Sequence, residues 1–573
     1  MFQVTSIYFI AAIAVVGGGL FGFDISSMSA IISTEHYLCY FNEGPNYWGV
    51  ITPDNPEGTC SGPTPSTQGG ITAAMPGGSW IGALTSGYLS DIFGRKRSIQ
   101  IGSLFWIIGS VISCASQNIG MLIAGRIING FAVGICSAQV PVYISELAPP
   151  SRRGRLVGMQ QWAITWGILI MFYLSYGCTF IGEPNTPTPA AWRVPWALQM
   201  IPGVFLLLAL FLTPESPRWL AKKGRWGETR QVVASVHAKG DHTHPFVQAE
   251  LEEIEYFVQL EKTNDTTYLD LLKPNMIFRT HVGVFTQIWS QMTGMNVMMY
   301  YITYVFAMAG MKGNALLVSS SITFVINVVM TVPALIWVDN WGRRNTLLAG
   351  GFLMCTWMFT TGGIMGANGH HVPEGIDGVK AASWAIDSGA PAKAVVACTY
   401  LFVASFAPTW GPVSWIYPPE LYPLRVRGKA VALCTSANWI FNFALSYFVP
   451  PGFQNIQWKT YMIFGVFCAS MTLHVFFCFP ETAGKTLEAV EEIFDSGTPA
   501  WKTHVTTKAT IAAERGDVEA APTFAAQSRM HRAGVRDTGL RDTEAEREKP
   551  TSPTYEERQG SGSSSSDQPN KEQ

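Results

Sequence analysis

Apolar runs of about twenty residues recur along the chain, each long enough to cross a bilayer core of about 30 Å as a helix. Twelve can be drawn, at roughly 7–32, 69–90, 99–116, 121–144, 156–177, 195–213, 280–309, 316–338, 346–367, 393–416, 430–449 and 459–479. The second is rich in Gly and Ser, and the tenth is interrupted by Pro408 and Pro412. Both features suit membrane helices that pack closely or bend. Composition agrees with this reading. Of 573 residues 48% are apolar and only 14% charged, against about a quarter charged in soluble proteins. The expected fold class is an all-α polytopic membrane protein.

Charge sets the expected orientation. Arg95, Lys96 and Arg97 follow the second run, Arg152, Arg153 and Arg155 the fourth, Arg343 and Arg344 the eighth, and Arg425, Arg427 and Lys429 the tenth. The intervening loops carry almost no Lys or Arg, and 33–68 has none. By the positive-inside rule both termini are expected to be cytoplasmic. The first run is too long for a signal h-region and carries Asp24, so it is read as a span rather than a cleaved leader. A net charge of −2 gives no reason to expect a nucleic-acid partner. The expected organisation is a six-helix bundle over 1–213, a cytoplasmic helical linker over 214–278, a second bundle over 279–480, and a mostly disordered cytoplasmic tail over 481–573. The tail reading rests on the charged, Ser-rich composition of 500–573. Cys39 and Cys60 both fall in the long segment placed outside, where a disulfide is plausible; most other cysteines lie within apolar runs.

The chain repeats itself. Asp91-Ile92-Phe93-Gly94-Arg95-Lys96 matches Asp339-Asn340-Trp341-Gly342-Arg343-Arg344, the spacing from Glu146 to Arg153 matches that from Glu420 to Arg427, and Pro214-Glu215-Ser216-Pro217-Arg218 pairs with Pro480-Glu481-Thr482-Ala483-Gly484-Lys485. Three matched motifs in one order imply two duplicated six-helix halves. Carboxylates of Asp91, Glu146 and Glu215 are expected to face Arg95, Arg153 and Arg218 at the cytoplasmic ends, with Asp339, Glu420 and Glu481 and Arg343 and Arg427 as counterparts. Such pairs are directional and can break and reform, so they are expected to latch the halves as a cytoplasmic gate. Read singly, each motif could merely fix topology.

With these motifs, and with Pro480 to Glu488 (Pro-Glu-Thr-x-Gly-Lys-Thr-Leu-Glu), the sequence resembles the sugar porters of the major facilitator superfamily over roughly residues 10–495. Gly22-Phe23-Asp24-Ile25-Ser26-Ser27-Met28 and Gln291-Met292-Thr293-Gly294-Met295-Asn296 look most like the fungal high-affinity glucose transporters. The resemblance implies twelve helices, alternating access about a midplane site, a monosaccharide substrate, a plasma-membrane location, and no enzymatic activity or cofactor beyond a coupling proton. The functional unit is expected to be a monomer in the bilayer.

A hexose needs neutral donors and acceptors and an aromatic surface. Gln160, Gln161, Gln291, Asn296, Asn327 and Asn438 supply amides within the spans, and Phe406, Trp415 and Trp439 supply rings. A lone amide in a membrane helix is usually explained by a bond to a neighbouring helix, contributing about 0.6 kcal/mol. Six such amides on four helices favour a shared ligand. By resemblance, Gln161, Gln291, Asn296, Tyr300, Asn327, Gly411, Trp415 and Asn438 match positions lining the sugar site, while Gln160 does not. Ser290 departs from the two consecutive Gln of many family members, which leaves sugar preference open.

Asp24 within an apolar run costs at least about 2.5 kcal/mol and needs a partner. Arg126, in the fourth run, is the candidate, and by resemblance the two match the proton-coupling pair of sugar–proton symporters. The alternatives are a static ion pair in a passive hexose carrier, or a transporter-like glucose sensor. His242-Thr243-His244 lies in a hydrophilic loop and is read as solvated rather than metal-binding, and Asn264-Asp265-Thr266 as an unmodified cytoplasmic site. No full phosphate-cradling Gly-x-x-x-x-Gly-Lys-Ser/Thr loop is present to suggest a nucleotide-driven pump, since Phe479 stands where Gly484-Lys485-Thr486 would need its first glycine.

Overall fold

The computed structural model describes residues 5–52, 58, 60–149, 153–181, 187–263, 267–376, 379–387, 389–483, 485 and 487–503, all within one compact unit, Met1–Glu519. Helices dominate, and twelve long helical segments follow the order of the apolar runs. Spans 1 to 6 are Ile7–Ile31, Pro65–Phe93, Arg95–Cys114, Ile119–Leu147, Arg153–Cys178 and Ala190–Leu212. Span 7 is built from Pro274–Met292, Met295–Tyr300 and Ile302–Met308. Spans 8 to 12 are Gly313–Trp341, Arg343–Asn368, Ala390–Leu421, Leu424–Asn455 and Lys459–Cys478. Nine of these are long and apolar enough to cross a membrane on those criteria alone. Span 2 misses because of its Gly and Ser content, span 7 because it is broken, and span 11 because of the polar residues within it, Thr435, Ser436, Asn438, Asn442 and Ser446.

The breaks have local causes. In span 7, Gly294 takes φ 84°, a left-handed conformation that side chains rarely adopt, and turns the helix between Met292 and Met295. Span 10 pauses between Phe406 and Trp410 rather than at Pro412, which sits in the first turn of the second piece, where its missing N–H has no helical acceptor to lose.

Close packing explains the composition of span 2. A Cβ on Gly78 or Gly82 would lie 2.1 and 2.2 Å from the carbonyls of Ile127 and Phe131 in span 4, and one on Gly130 or Gly134 would lie 2.0 and 2.1 Å from those of Met75 and Ser79. Small residues on both helices therefore let the two backbones touch. Gly22 plays the same part between spans 1 and 5, its missing Cβ 2.1 Å from the Ile164 carbonyl.

Spans 1–6 meet spans 7–12 mainly through spans 2 and 11 and spans 5 and 8. Near the end carrying Arg95 and Arg343, called here the basic end, Gly154 abuts the Asp339 carboxylate. Toward the other end Tyr173 donates to Ser321 at 3.2 Å, Tyr176 bonds Asn314, and Thr303 donates to the Ser29 carbonyl at 3.2 Å. The seam is thus closed at both ends.

Between spans 6 and 7 lie three helices, Pro217–Lys222, Trp226–Ala238 and Pro245–Thr263. An antiparallel hairpin, Gly369–His371 with Trp384–Ile386, sits between spans 9 and 10 and has no counterpart in the apolar pattern. Cys39 and Cys60 are joined in a disulfide, Cα atoms 5.1 Å apart. The first part of the expected disordered tail is instead packed: Leu487–Asp495 is helical, Asp495 pairs with Arg279 at 2.9 Å, and the Phe494 and Phe278 rings lie 5.8 Å apart. Apolar contact and a buried cation supply what the tail composition alone lacked. The low-complexity stretch from 504 onward, and the Asn264-Asp265-Thr266 tripeptide, lie outside the described residues.

Gly22→Ala should destabilise the fold by at least about 1–3 kcal/mol through overpacking against Ile164. Gly177→Ala, where nothing lies within 4 Å, should change stability by no more than about 0.5 kcal/mol. Thermal unfolding of the purified proteins compares the two.

Candidate functional site: a central cavity, a buried ion pair and a braced basic end

A narrow cavity lies midway along the seam. Spans 1 and 5 contribute Phe21, Gln161, Ile164 and Ile168, and the rest of the wall comes from spans 7, 8, 10 and 11. The break at Gly294 lets Asn296 reach back and donate to Gln291 Oε1 at 2.8 Å. Asn442 donates to the same oxygen at 3.1 Å, and Gln291 Nε2 donates to Asn438 Oδ1 at 2.7 Å. Gln291 is therefore fixed by three amides, its carbonyl oxygen used twice. Across the seam Trp415 Nε1 donates to Gln161 Oε1 at 3.1 Å.

Two polar atoms on this wall, Asn438 Nδ2 and Asn327 Oδ1, are buried without a hydrogen-bond partner. A donor and an acceptor left unpaired at depth each cost about 1–3 kcal/mol, which a ligand bearing hydroxyl groups would recover. Phe406 and Trp415 add ring faces, and Gly411 keeps the space open, since a Cβ there would lie 3.2 Å from Gln161 Nε2 and 3.3 Å from Phe406. No charged side chain lines the cavity among the described residues. The arrangement suits a neutral, polyhydroxylated ligand.

Of the residues expected here, Gln161, Gln291, Asn296, Asn327, Phe406, Gly411, Trp415 and Asn438 line the cavity, as does Ser290. Two others do not. Trp439 is fully buried one layer behind, edge-on to Phe21 at 4.8 Å, with its indole donating to Ser137 at 3.1 Å. Tyr300 is also fully buried and off the wall. Gln160 packs against Gly18 of span 1, away from the cavity. Asn442 was not anticipated, although it stands one helical turn after Asn438, the spacing that brings side chains onto one face.

Asp24 and Arg126 form a bidentate pair, Nη2 to Oδ2 at 2.9 Å and Nη1 to Oδ1 at 3.3 Å, with exposures of 1% and 2%. The remaining guanidinium donors go to span 2: Nε to the Ile71 carbonyl at 2.8 Å and Nη2 to the Thr72 carbonyl at 3.4 Å. Pro76 accounts for the second of these. Having no N–H, it leaves the carbonyl four residues back, that of Thr72, without its helical donor.

At the basic end the sequence repeat is also a repeat of hydrogen bonds. Arg95 is bidentate to Glu146, both contacts at 2.9 Å, and Arg343 is bidentate to Glu420 at 2.7 and 3.0 Å. Ser216 bonds Glu146, and Thr482 donates to Glu420 at 2.7 Å. Glu215 accepts from the backbone N–H groups of Lys96 and Ser216 at 3.0 Å each, and Glu481 from those of Arg343 and Arg344 at 2.8 and 3.1 Å. Tyr143 and Tyr417 donate to the carbonyls of Pro214 and Pro480, each at 2.6 Å. Burial pushes the Glu215 carboxyl above its usual range, against the pull of its two backbone donors.

Asp339 accepts from Arg343 at 2.9 Å, within its own motif as expected. Other members of the cluster are placed differently from expectation. Arg218 pairs with Glu253 at 3.2 Å and Glu250 at 3.9 Å on linker helix Pro245–Thr263, Asp91 lies 3.9 Å from Lys222, and Arg427 donates to the Tyr422 carbonyl at 3.2 Å. The Arg153 side chain lies outside the described residues. The two bidentate pairs join spans within the first six or within the last six, not across the seam. They brace each set of helices, and the basic end closes through packing such as Gly154 on Asp339.

Comparison with known proteins agrees with this architecture. Residues 10–494 match the family model described as "Sugar (and other) transporter". The chain is 46% identical over 507 residues to the MFS glucose transporter mfs1 of Aspergillus flavus, covering 88% of this chain and 92% of that one. It is 46% identical over 504 residues to the high-affinity glucose transporter of Kluyveromyces lactis, covering 87% of each. Among solved structures, the proton:xylose symporter XylE bound to 6-bromo-6-deoxy-D-glucose superposes with a TM-score of 0.70 at 27% identity, covering 86% of this chain and all of that one. A partially occluded, inward-open form of XylE from E. coli gives 0.66 at 26% identity over 84% of this chain. The chain is a multi-pass membrane transporter of the major facilitator fold, not an enzyme, and belongs to the sugar (and other) transporter family.

Proposed function

We propose that this protein moves a hexose of the glucose type across the plasma membrane together with a proton, by alternating access, with both termini in the cytoplasm. The observation that carries the reading is the pairing of two sites: a charge-free cavity with unpartnered amide atoms, and a buried Asp24–Arg126 pair on spans 1 and 4. The names of the glucose-transporter relatives and of the proton:xylose symporter support the same substrate class and coupling.

The mechanism follows from charge. With Asp24 ionised, the pair ties span 1 to span 4, and Arg126 extends the tie to span 2. A proton on Asp24 neutralises it, so the bidentate contact weakens while the guanidinium keeps its carbonyl partners. Protonation thereby shifts the balance between outward- and inward-facing forms. Sugar bridging Gln161 on one side and Gln291, Asn327 and Asn438 on the other favours the closed form through which both pass.

Asp24→Asn should abolish accumulation against a gradient in transporter-deficient cells while preserving sugar counterflow; unimpaired accumulation would overturn the coupling role. Loss of accumulation is expected in the unmodified protein on adding a protonophore; uptake that only equilibrates, and that the protonophore leaves unchanged, would favour passive carriage. Asn438→Ala should raise the glucose KM about tenfold, the loss of about 1.4 kcal/mol for one ligand hydrogen bond and one positioning bond to Gln291. Labelled-glucose uptake at equal surface expression checks this.

A further inference from the structure

A second cavity, small enough to hold about one water molecule, lies at the end of the molecule opposite the basic loops and shares no lining residue with the central one. Its walls come from the disulfide loop at Ser61, the start of span 2, Tyr304 of span 7, and Val379 to Ala381 of the loop bearing the hairpin. Gln68 closes its inner wall, 3% exposed and bolted in place. Tyr37 Oη donates to Gln68 Oε1 at 3.1 Å, and Gln68 Nε2 donates to Thr72 Oγ1 at 3.2 Å. One further link reaches the ion pair, because the Thr72 carbonyl and Asp24 Oδ2 share the same donor, Arg126 Nη2, at 3.4 and 2.9 Å.

We infer that this cavity is the entry port for the coupling proton, a route to Asp24 separate from the path of the sugar, with the Gln68–Tyr37 hydrogen bond as its gate. The inference rests on the proton-coupled reading given above. A single water taken up in the cavity as hydronium reaches Gln68. When the bond to Tyr37 opens, water follows the Thr72 side of span 2 to Arg126, and hydronium gives its proton to the Asp24 carboxylate, leaving a neutral carboxyl and a water molecule. The groups facing the passage fit this use. Tyr37 and Tyr301 are fully buried hydroxyls, Tyr301 donating to the Ser446 carbonyl at 2.9 Å. Arg126 is held by Asp24, and Lys380 stands at the mouth with Glu43 beyond Tyr37. Tyr300 stands near Asp24 with its hydroxyl unpartnered, Tyr304 lines the cavity, and Glu35 is held beside the disulfide by the Cys60 N–H at 3.5 Å. A separate entrance also explains how the proton could reach Asp24 while the central cavity is occupied.

The test uses the full-length protein in proteoliposomes, reading sugar-driven proton uptake with an internal pH dye and sugar counterflow with labelled glucose. Gln68→Leu should slow proton uptake at least tenfold and leave counterflow within twofold of the unmodified protein, whereas Gln68→Glu, which keeps a polar, hydrated end to the cavity, should restore proton uptake. Lys380→Cys labelled with a bulky, membrane-impermeant maleimide should block proton uptake likewise, the unmodified protein treated with the same reagent serving as control. Unchanged proton uptake in both Gln68→Leu and the labelled Lys380→Cys protein, with the unmodified protein coupled, overturns the route alone. Absence of sugar-driven proton uptake in the unmodified protein overturns the coupled reading and the route with it.

Discussion

Two opposite charges held 2.9 Å apart with almost no solvent exposure constrain the first six spans. Neither charge is tolerable alone at that depth, since a single buried ion is disfavoured by several kcal/mol and its partner would then be stranded too. The pair therefore forces spans 1 and 4 to approach, and the surplus donors of Arg126 bring in span 2 through the carbonyl that Pro76 leaves open. Such a contact is weak evidence for stability, and it is the contact on which the proposed protonation switch rests.

The rest of the molecule makes a local change at that pair consequential. Glycine contacts lock spans 2 and 4 backbone to backbone, and the bidentate pairs Arg95–Glu146 and Arg343–Glu420 brace the basic ends within each set of six helices. Bracing within sets, with lighter packing between them, leaves the seam as the place where movement can occur. The central cavity lies on that seam and draws its polar wall chiefly from spans 7, 8, 10 and 11, with Gln161 as the amide from the other side. A ligand bridging Gln161 to Asn327 and Asn438 would couple the two sets directly.

Much of this was legible in the sequence. Apolar run length located the spans, and the doubled motifs foretold two matching charge clusters, expected to latch the halves together but found to brace each set of six from within. The cavity amides were found by asking which polar groups a membrane helix would not carry without use. What escaped was tertiary in origin. Nothing in the motif spacing says that Arg218 turns to Glu253 on a linker helix instead of to its own cluster, because that choice depends on where Pro245–Thr263 packs. Trp439 and Tyr300 share helices with cavity residues, yet helix rotation puts them one layer behind. The hairpin between spans 9 and 10 pairs only three residues on each strand, too few for a periodic signal. The segment Leu487–Asp495 owes its order to Arg279 and Phe278, more than two hundred residues earlier.

The central claim is that the Asp24 carboxyl gains and loses a proton as sugar crosses. Infrared difference spectroscopy of the reconstituted protein reads that event directly, through the carbonyl stretch of a protonated carboxylic acid. A band that arises on adding sugar at mildly acidic pH, shifts in heavy water and vanishes in a variant lacking the Asp24 carboxyl is the result the account predicts. A carboxylate that stays ionised throughout transport, with no such band, would contradict it.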